Sequence, residues 1–435
     1  MLSVLQLCAF SEPFFPNLES LRLEFSSAKL APLIPLVLSP KTTVIDITFN
    51  VSDFPEAIVA SMITAFPSLC PNLQDITLHL LPKSPAIIAV VSRMLLASNQ
   101  NALRRCYVNL PLTEEAREVI FKLPDLRKLS MVIERDALPS PVVLPNLTHL
   151  FIGCDHGGGW LRFLRGATFG KLEAACFASG PGQIGDFLEE FERIALAASA
   201  QHTLSYFHLD TLCSWNPNYS SLLPFTQLTD LGIGFPCNDG CSSSVDDDTI
   251  TNLARVMPKL EILHLGGPPC REIPIGVTVK GLAILANHCP HLYDLRVHFQ
   301  VTSLSAPPAI AGATSGAGFA TIQGDCFLTE LKVGEIPMAE ESVLVVALTL
   351  AHIFPLIENI DHVDENWGKV MNAINLSRQI VGYAGKEHTP IHLMTSMTPP
   401  QEPHPRMAAD REMVRHEDTL TSFDVISPSS AVNAL

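Results

Sequence analysis

The sequence predicts an α/β solenoid with parallel strands on a concave side and helices on a convex side. Three observations predict it: a short apolar pattern, Leu-x-x-Leu-x-Leu or a near variant, that recurs along the chain; helix-spaced apolar residues between many recurrences; and a proline that parts helix from strand. Residues 278–299 show one complete unit. Val279, Leu282, Ala283 and Ala286 stand at i, i+3, i+4 and i+7, which gathers apolar side chains on one helix face. Cys289-Pro290 then ends the helix, because proline has no amide hydrogen and collides with the preceding turn. Leu292, Leu295 and Val297 follow, and the last two alternate with Asp294, Arg296 and His298 as a half-buried strand requires.

Taken in order, the pattern appears at Leu2/Leu5/Leu7, Leu18/Leu21/Leu23, Val44/Ile47/Phe49, Leu73/Ile76/Leu78, Leu103/Cys106/Val108, Leu126/Leu129/Met131 and Leu147/Leu150/Ile152. A weak match at Leu172/Ala175/Phe177 is followed by Leu204/Phe207/Leu209, Leu228/Leu231/Ile233, Leu260/Leu263/Leu265, Leu292/Leu295/Val297 and Leu328/Leu331/Val333, then a degenerate Ile357/Ile360/His362. The mean spacing of about 28 residues lies in the leucine-rich-repeat range of roughly 20–29. The lead-in also recurs, as Pro16-Asn17-Leu18, Pro71-Asn72-Leu73 and Pro145-Asn146-Leu147, with Pro258-Lys259-Leu260 and Pro290-His291-Leu292 as variants. Helical spacing predicts helices over 55–66, 113–121, 185–199, 247–256 and 341–354, with Asp246 as a helix N-cap. A strand with its returning helix cannot bury its apolar side alone, so stacking supplies the core.

The predicted solenoid spans 1–385, interrupted by a flexible Gly/Ala/Ser/Pro-rich loop at 303–324 and closed by a helix containing Trp367. The polar, proline-rich 386–435 reads as a disordered tail.

Composition narrows the function. Apolar residues make up 47% of the chain and charged residues 17%, enough for a continuous core. A formal net charge of −16 argues against a nucleic-acid partner, favours solubility, and would suit a basic patch on a protein. The eleven cysteines are scattered without a Cys-x-x-Cys pair, the usage of a reducing, intracellular compartment, cytoplasmic or nuclear. The most apolar window, 343–357, is too short to cross a membrane and contains His352 and Pro355, so no membrane association is expected.

No catalytic signature is present: there is no Gly-x-Ser-x-Gly, no His-Glu-x-x-His and no phosphate-loop motif. Asp155-His156-Gly157-Gly158-Gly159 reads as a tight turn into a helix, and Asp246-Asp247-Asp248 as carboxylates at a helix N-terminus. Cys237 and Cys241, with no close histidine, make a poor zinc site, and no metal or cofactor is expected. An enzyme with an unrecognised site is the remote alternative. Strand alternation points instead to a binding surface. The positions flanking the core leucines place Arg105, Tyr107, His149, Tyr206, His208, Asp210, His264, Asp294, Arg296, His298 and Lys332 on the concave face, with Asn109, Phe151 and Glu330 beside them. Aromatic, arginine and histidine side chains in a row suit capture of a protein, and the histidines would make capture sensitive to mild acid.

The combination Cys-Pro-x-Leu-x-x-Leu-x-Val after an amphipathic Gly-Leu-x-x-Leu-Ala helix resembles the cysteine-containing leucine-rich repeats of F-box proteins. Cys70-Pro71-Asn72-Leu73 and Cys289-Pro290-His291-Leu292 match best. The whole pattern over 1–385, with uneven repeat lengths and a closing helix, is similar to fungal F-box-associated leucine-rich-repeat proteins. The resemblance implies repeats that capture a target and an F-box that docks on the adaptor of an SCF-type ubiquitin ligase. No F-box start of the form Leu-Pro-x-Glu precedes the first repeat; Phe54-Pro55-Glu56 is a superficial echo inside the array. The expectation is therefore either a piece of a longer F-box protein that recruits the adaptor, or a stand-alone binding or inhibitor protein with no ligase link.

Overall fold

A computed structural model describes residues 13–387 except 26–30, 32, 50–54, 81–83, 99–101, 135–141, 155–157, 180–186, 212–216, 235–244, 267–275, 300–325, 335–337 and 363. The Leu2/Leu5/Leu7 strand, the 303–324 loop, Asp155 to Gly157, Cys237, Cys241 and nearly all of the tail lie outside the described residues. Contacts divide the chain into two units, Met1–Ala373 and Ile374–Leu435.

Thirteen strands of the first unit form one sheet, and every neighbouring pair is parallel. They are β1 (Ser20–Phe25), β2 (Val44–Phe49), β3 (Asp75–His79), β4 (Arg105–Pro111), β5 (Lys128–Ile133), β7 (His149–Cys154), β9 (Ala174–Ser179), β10 (Tyr206–Thr211), β11 (Asp230–Gly234), β12 (Ile262–Leu265), β13 (Asp294–Val297), β14 (Glu330–Gly334) and β15 (Asn359–His362). Spatial order follows chain order. Parallel neighbours cannot be joined by a hairpin, so each connection must travel back along the sheet, and in most repeats an α-helix does this.

The helices are α1 (Ile34–Val37), α2 (Glu56–Leu69), α3 (Pro85–Ala97), α4 (Glu114–Phe121), α5 (Gly158–Gly166), α6 (Phe187–Ala197), α7 (Asp247–Val256), α8 (Val279–His288), α9 (Val343–Ile353) and α10 (Glu365–Glu387). The fold is thus the leucine-rich-repeat α/β solenoid that the pattern predicts. The α3 helix was not foreseen, although Ser84 caps it by accepting from the Ile87 amide at 3.3 Å and Pro85 opens it. The helix expected after the glycine run is α5, into which Gly158 and Gly159 themselves run, whereas a separate two-stranded sheet of β6 (Val142–Leu144) with β8 (Ala167–Phe169) was not foreseen.

Register explains the core. Leu21, Ile45, Ile76, Cys106, Leu129, Leu150, Ala175, Phe207, Leu231, Leu263, Leu295, Leu331 and Ile360 stand opposite one another from β1 to β15, and all are buried. This corrects one repeat. Leu21 pairs with Ile45, so the third unit reads Thr42/Ile45/Ile47 and not Val44/Ile47/Phe49. The misreading arose because Thr42 fills a leucine slot. Its hydroxyl is buried yet satisfied, donating to the Leu18 carbonyl at 2.8 Å.

The lead-in asparagines also have a use. Asn72 donates to the Pro40 carbonyl at 3.3 Å and Asn146 to the Pro124 carbonyl at 2.6 Å, each tying a repeat to the one before. On the helix side of the sheet, Phe177 meets Trp160 of α5 and Phe187 and Phe191 of α6 with ring centroids 4.9–5.8 Å apart, the spacing of favourable aromatic pairs. That side is therefore committed to packing. The opposite side, here called the open face, carries the alternate residues of each strand.

Candidate functional site on the open face of the sheet

Parallel register sorts the open face into rows. Arg105, His149, Tyr206 and Asp294 belong to the first row, with Asp75, Lys128, Asp230 and Glu330. Tyr107, His208, His264, Arg296 and Lys332 belong to the second, with Phe151, Cys176 and Gly232. Asp210 lies one pair further along β10, opposite Gly234, and His298 directly follows β13. Asn109 turns to the neighbouring repeat instead: its Oδ1 accepts from the Leu80 amide at 2.8 Å and its Nδ2 donates to the Leu80 carbonyl at 3.1 Å.

Large aromatics on this face reach one another because small residues lie between them. Tyr107 and Phe151 stand on either side of Ser130, with ring centroids 5.9 Å apart. Phe151 and Tyr206 stand on either side of β9, whose open-face residues are Ala174 and Cys176, with centroids 6.5 Å apart. Tyr206 then stacks on His208 at 4.4 Å with planes 5° apart.

Gly232 and Gly234 open a hollow beside this aromatic run. A Cβ on Gly232 would sit 2.6 Å from the His208 ring, and one on Gly234 would collide with the Asp210 carboxylate. Both side chains of β10 therefore lean into space that β11 leaves empty. His208 Nε2 lies 2.6 Å from Asp230 Oδ1. His264 approaches from the other side, its ring centroid 6.5 Å from that of His208, and places Nε2 3.1 Å from Asp294 Oδ1. Lys332 Nζ donates to Asp294 Oδ2 at 2.6 Å. Asp294 is only 7% exposed, so it acts as the hub of this network, while Arg296 beside it stands in solvent.

Electrostatics follow the geometry. Burial pushes the Asp210 carboxyl up, opposed by His208, Arg296 and His264. Burial would also raise Asp294, but His264 and Lys332 together hold it below the ordinary carboxylate range. Cys176 is the register neighbour of His208, which Asp230 orients, an arrangement reminiscent of a nucleophile, base and acid. Burial pushes that thiol well up, and Asp210 and Asp230 push it further, so it stays protonated and unreactive. What the face offers is shape, aromatic surface and a fixed charge pattern.

Asp230, Gly232 and Gly234 were not anticipated as part of the site. Their signal was the run Asp230-Leu231-Gly232-Ile233-Gly234, in which core residues alternate with residues too small to fill the open face. Elsewhere the acidic residues serve the backbone. Asp246 caps α7 by accepting from the Thr249 amide at 2.8 Å, and Asp247 accepts from both the amide and the hydroxyl of Thr278, which caps α8. Among the described residues no group of three or more His, Cys, Asp or Glu is placed to hold a metal ion, and no helix is long and apolar enough to cross a membrane.

No protein-family model matches the chain, and no curated protein matches it. Among solved structures, an internalin from Listeria monocytogenes is similar over 82% of this chain and 85% of that one, at 11% sequence identity and a TM-score of 0.29.

Proposed function

We propose that the chain is a protein-binding scaffold that holds its partner on the open face, and that it serves as a substrate-recognition component related to the F-box receptors of SCF-type ubiquitin ligases. The observation that carries the binding reading is the joined surface from Tyr107 through Phe151 and Tyr206 to His208 and Asp210, which fold over Gly232 and Gly234, edged by the exposed Arg296. Half-buried aromatics in a continuous run with a cation at its edge are what a protein hot spot uses.

The F-box relation is supported by the way the Cys-Pro-x-Leu motif works. Cys70 and Cys289 each close a helix, and the buried Cys289 thiol points to the carbonyls of Ala254 at 3.9 Å and Met257 at 3.7 Å in the preceding repeat. An intracellular setting is supported by the six described cysteines, all buried and unbridged.

Two measurements test this. Arg296→Glu with Tyr206→Ala should weaken capture of a cross-linked partner by about tenfold or more while the chain still melts cooperatively; unchanged capture moves the site off this face. Co-purification with the ligase adaptor subunit supports the receptor role. Partner capture without the adaptor would leave a stand-alone binding or inhibitor protein.

A further inference from the structure

Two basic doublets occupy the same place in consecutive repeats: Arg104-Arg105 where β4 begins and Arg127-Lys128 where β5 begins. Backbone pairing holds them together. The amides of Arg127 and Lys128 both donate to the Arg104 carbonyl, at 2.8 and 3.1 Å, and Arg105 is the register partner of Lys128. Four cations are thereby fixed on two strands about 4.8 Å apart. They line a cleft of about 340 Å³ whose remaining walls are Gln74, Asp75, Thr148 and Glu173.

The charges do not cancel. Asp75 and Glu173 are the only carboxylates of the lining, and Asp75 lies 3.6 Å from the half-exposed Arg105. Arg104 and Arg127 are exposed; neither forms a close ion pair among the described residues, although Arg104 is near enough to Asp75 to favour its charged form. A positive cleft thus stands in a chain whose formal net charge is −16. The cleft crosses the starts of β3, β4, β5, β7 and β9, which is about 20 Å, the reach of about six extended residues.

We infer that this cleft docks an extended acidic peptide segment of a partner, its adjacent Asp or Glu carboxylates over Arg104 and Arg127 and its neutral or basic ends toward Asp75 and Glu173. Guanidinium groups suit this task because their fork of donors matches a carboxylate. A long polyanion such as nucleic acid would meet the repulsion of the rest of the chain, whereas a short segment meets only the cleft. A lone phosphate group would use the centre and leave the length and the flanking carboxylates without purpose. The inference is independent of the hollow over β11, because none of its residues lines the cleft.

The test is fluorescence anisotropy with the full chain and a labelled eight-residue peptide, Gly-Ser-Asp-Glu-Glu-Asp-Ser-Gly. Its partners are the Asn/Gln counterpart, a version with one phosphoserine in place of the four acids, and a single-stranded oligonucleotide. The acidic peptide should bind, weaken as salt rises from about 50 to about 300 mM, and lose about tenfold or more in affinity in Arg104→Glu/Arg127→Glu. Both residues are exposed, so the melt should not change, and Arg104→Lys/Arg127→Lys should restore most of the loss. Tyr206→Ala should leave this binding intact even where it abolishes capture at the aromatic run, which separates failure here from failure of the binding reading. Equal binding of the Asn/Gln peptide, absence of binding by the acidic peptide, an unaffected charge-reversal variant, or preference for the phosphoserine peptide or the oligonucleotide overturns the inference.

Discussion

Near β1 the charges on the open face reach across to the next strand and remain in water. Arg22 Nε lies 2.9 Å from Asp46 Oδ2 with side chains 70% and 25% exposed, and Arg105 and Asp75 are 50% and 22% exposed. Between β10 and β14 the same kind of cross-strand pair is mostly hidden. Asp230 and Asp294 are each 9% exposed at the side chain, against 17% for His208 and 28% for Lys332. Strand register is common to both regions, so register cannot be the cause. Around β10 the difference lies in the intervening side chains: β11 contributes Gly232 and Gly234, and His208 and Asp210 fold into the space. A surface pair in water contributes roughly 0–1 kcal/mol, while opening a buried one costs several. A missing side chain can therefore convert a weak contact into a rigid one.

The largest expected effect tests what the two regions share. If one core runs under both, Ile45→Asp beneath the solvated end and Leu295→Asp beneath the hidden end should each cost about 4 kcal/mol or more. Each loses apolar burial and places a carboxylate among groups that cannot pair with it. Denaturant melts check this. A cooperatively folded, near-native Leu295→Asp protein would mean that β13 presents its other side to the helices.

The next effect separates the regions. Asp294→Asn should destabilise by about 2–3 kcal/mol because it strips the partner from a largely hidden Lys332, whereas Asp46→Asn should cost less than about 1 kcal/mol. Acid should act with the same asymmetry. The Asp294 carboxyl is depressed in the folded chain, so its contribution is present above the unfolded value of about 4 and is lost as pH falls through the folded value. Asp210 is raised, so its sign is opposite: its contribution is present below the unfolded value and is lost as pH rises through the folded one. Melts between neutral pH and about pH 3 should therefore flatten in Asp294→Asn and steepen in Asp210→Asn.

How far each feature was legible in the sequence depends on how many strands it needs. The core row was legible because it repeats one chemistry at one spacing, and even Thr42 disturbed it by only two residues. The α3 helix was missed although Ser84-Pro85 announces it. Placement of Arg105, Tyr107, Tyr206 and Arg296 on one face followed from alternation alone. Hiding of Asp294 did not, since it depends on His264 and Lys332 from both adjoining strands. Nor did the hollow, because a glycine in one strand matters only through the His208 and Asp210 of another. The paired doublets Arg104-Arg105 and Arg127-Lys128 were visible as a string, but their meaning needed the register that brings them together.

The smallest effect goes to the cause of the difference. In Gly232→Ala the new methyl would lie 2.6 Å from the His208 ring, so the ring must leave. It would give up the 2.6 Å contact with Asp230 and its stack on Tyr206, a loss of about 1–1.5 kcal/mol. Against this, replacing glycine narrows the unfolded ensemble and returns about 0.4–1 kcal/mol. The net change in stability should therefore be only about 0.5 kcal/mol, close to that of Arg22→Ala at the solvated end. The two variants part in the behaviour of the ring. Followed by NMR, the His208 ring resonances should lose the ring-current shift imposed by the stacked Tyr206 in Gly232→Ala, and should not move in Arg22→Ala. Unmoved His208 resonances in Gly232→Ala would show that the ring keeps its place beside the added methyl, and the contrast between the two ends would then have to come from the carboxylates themselves.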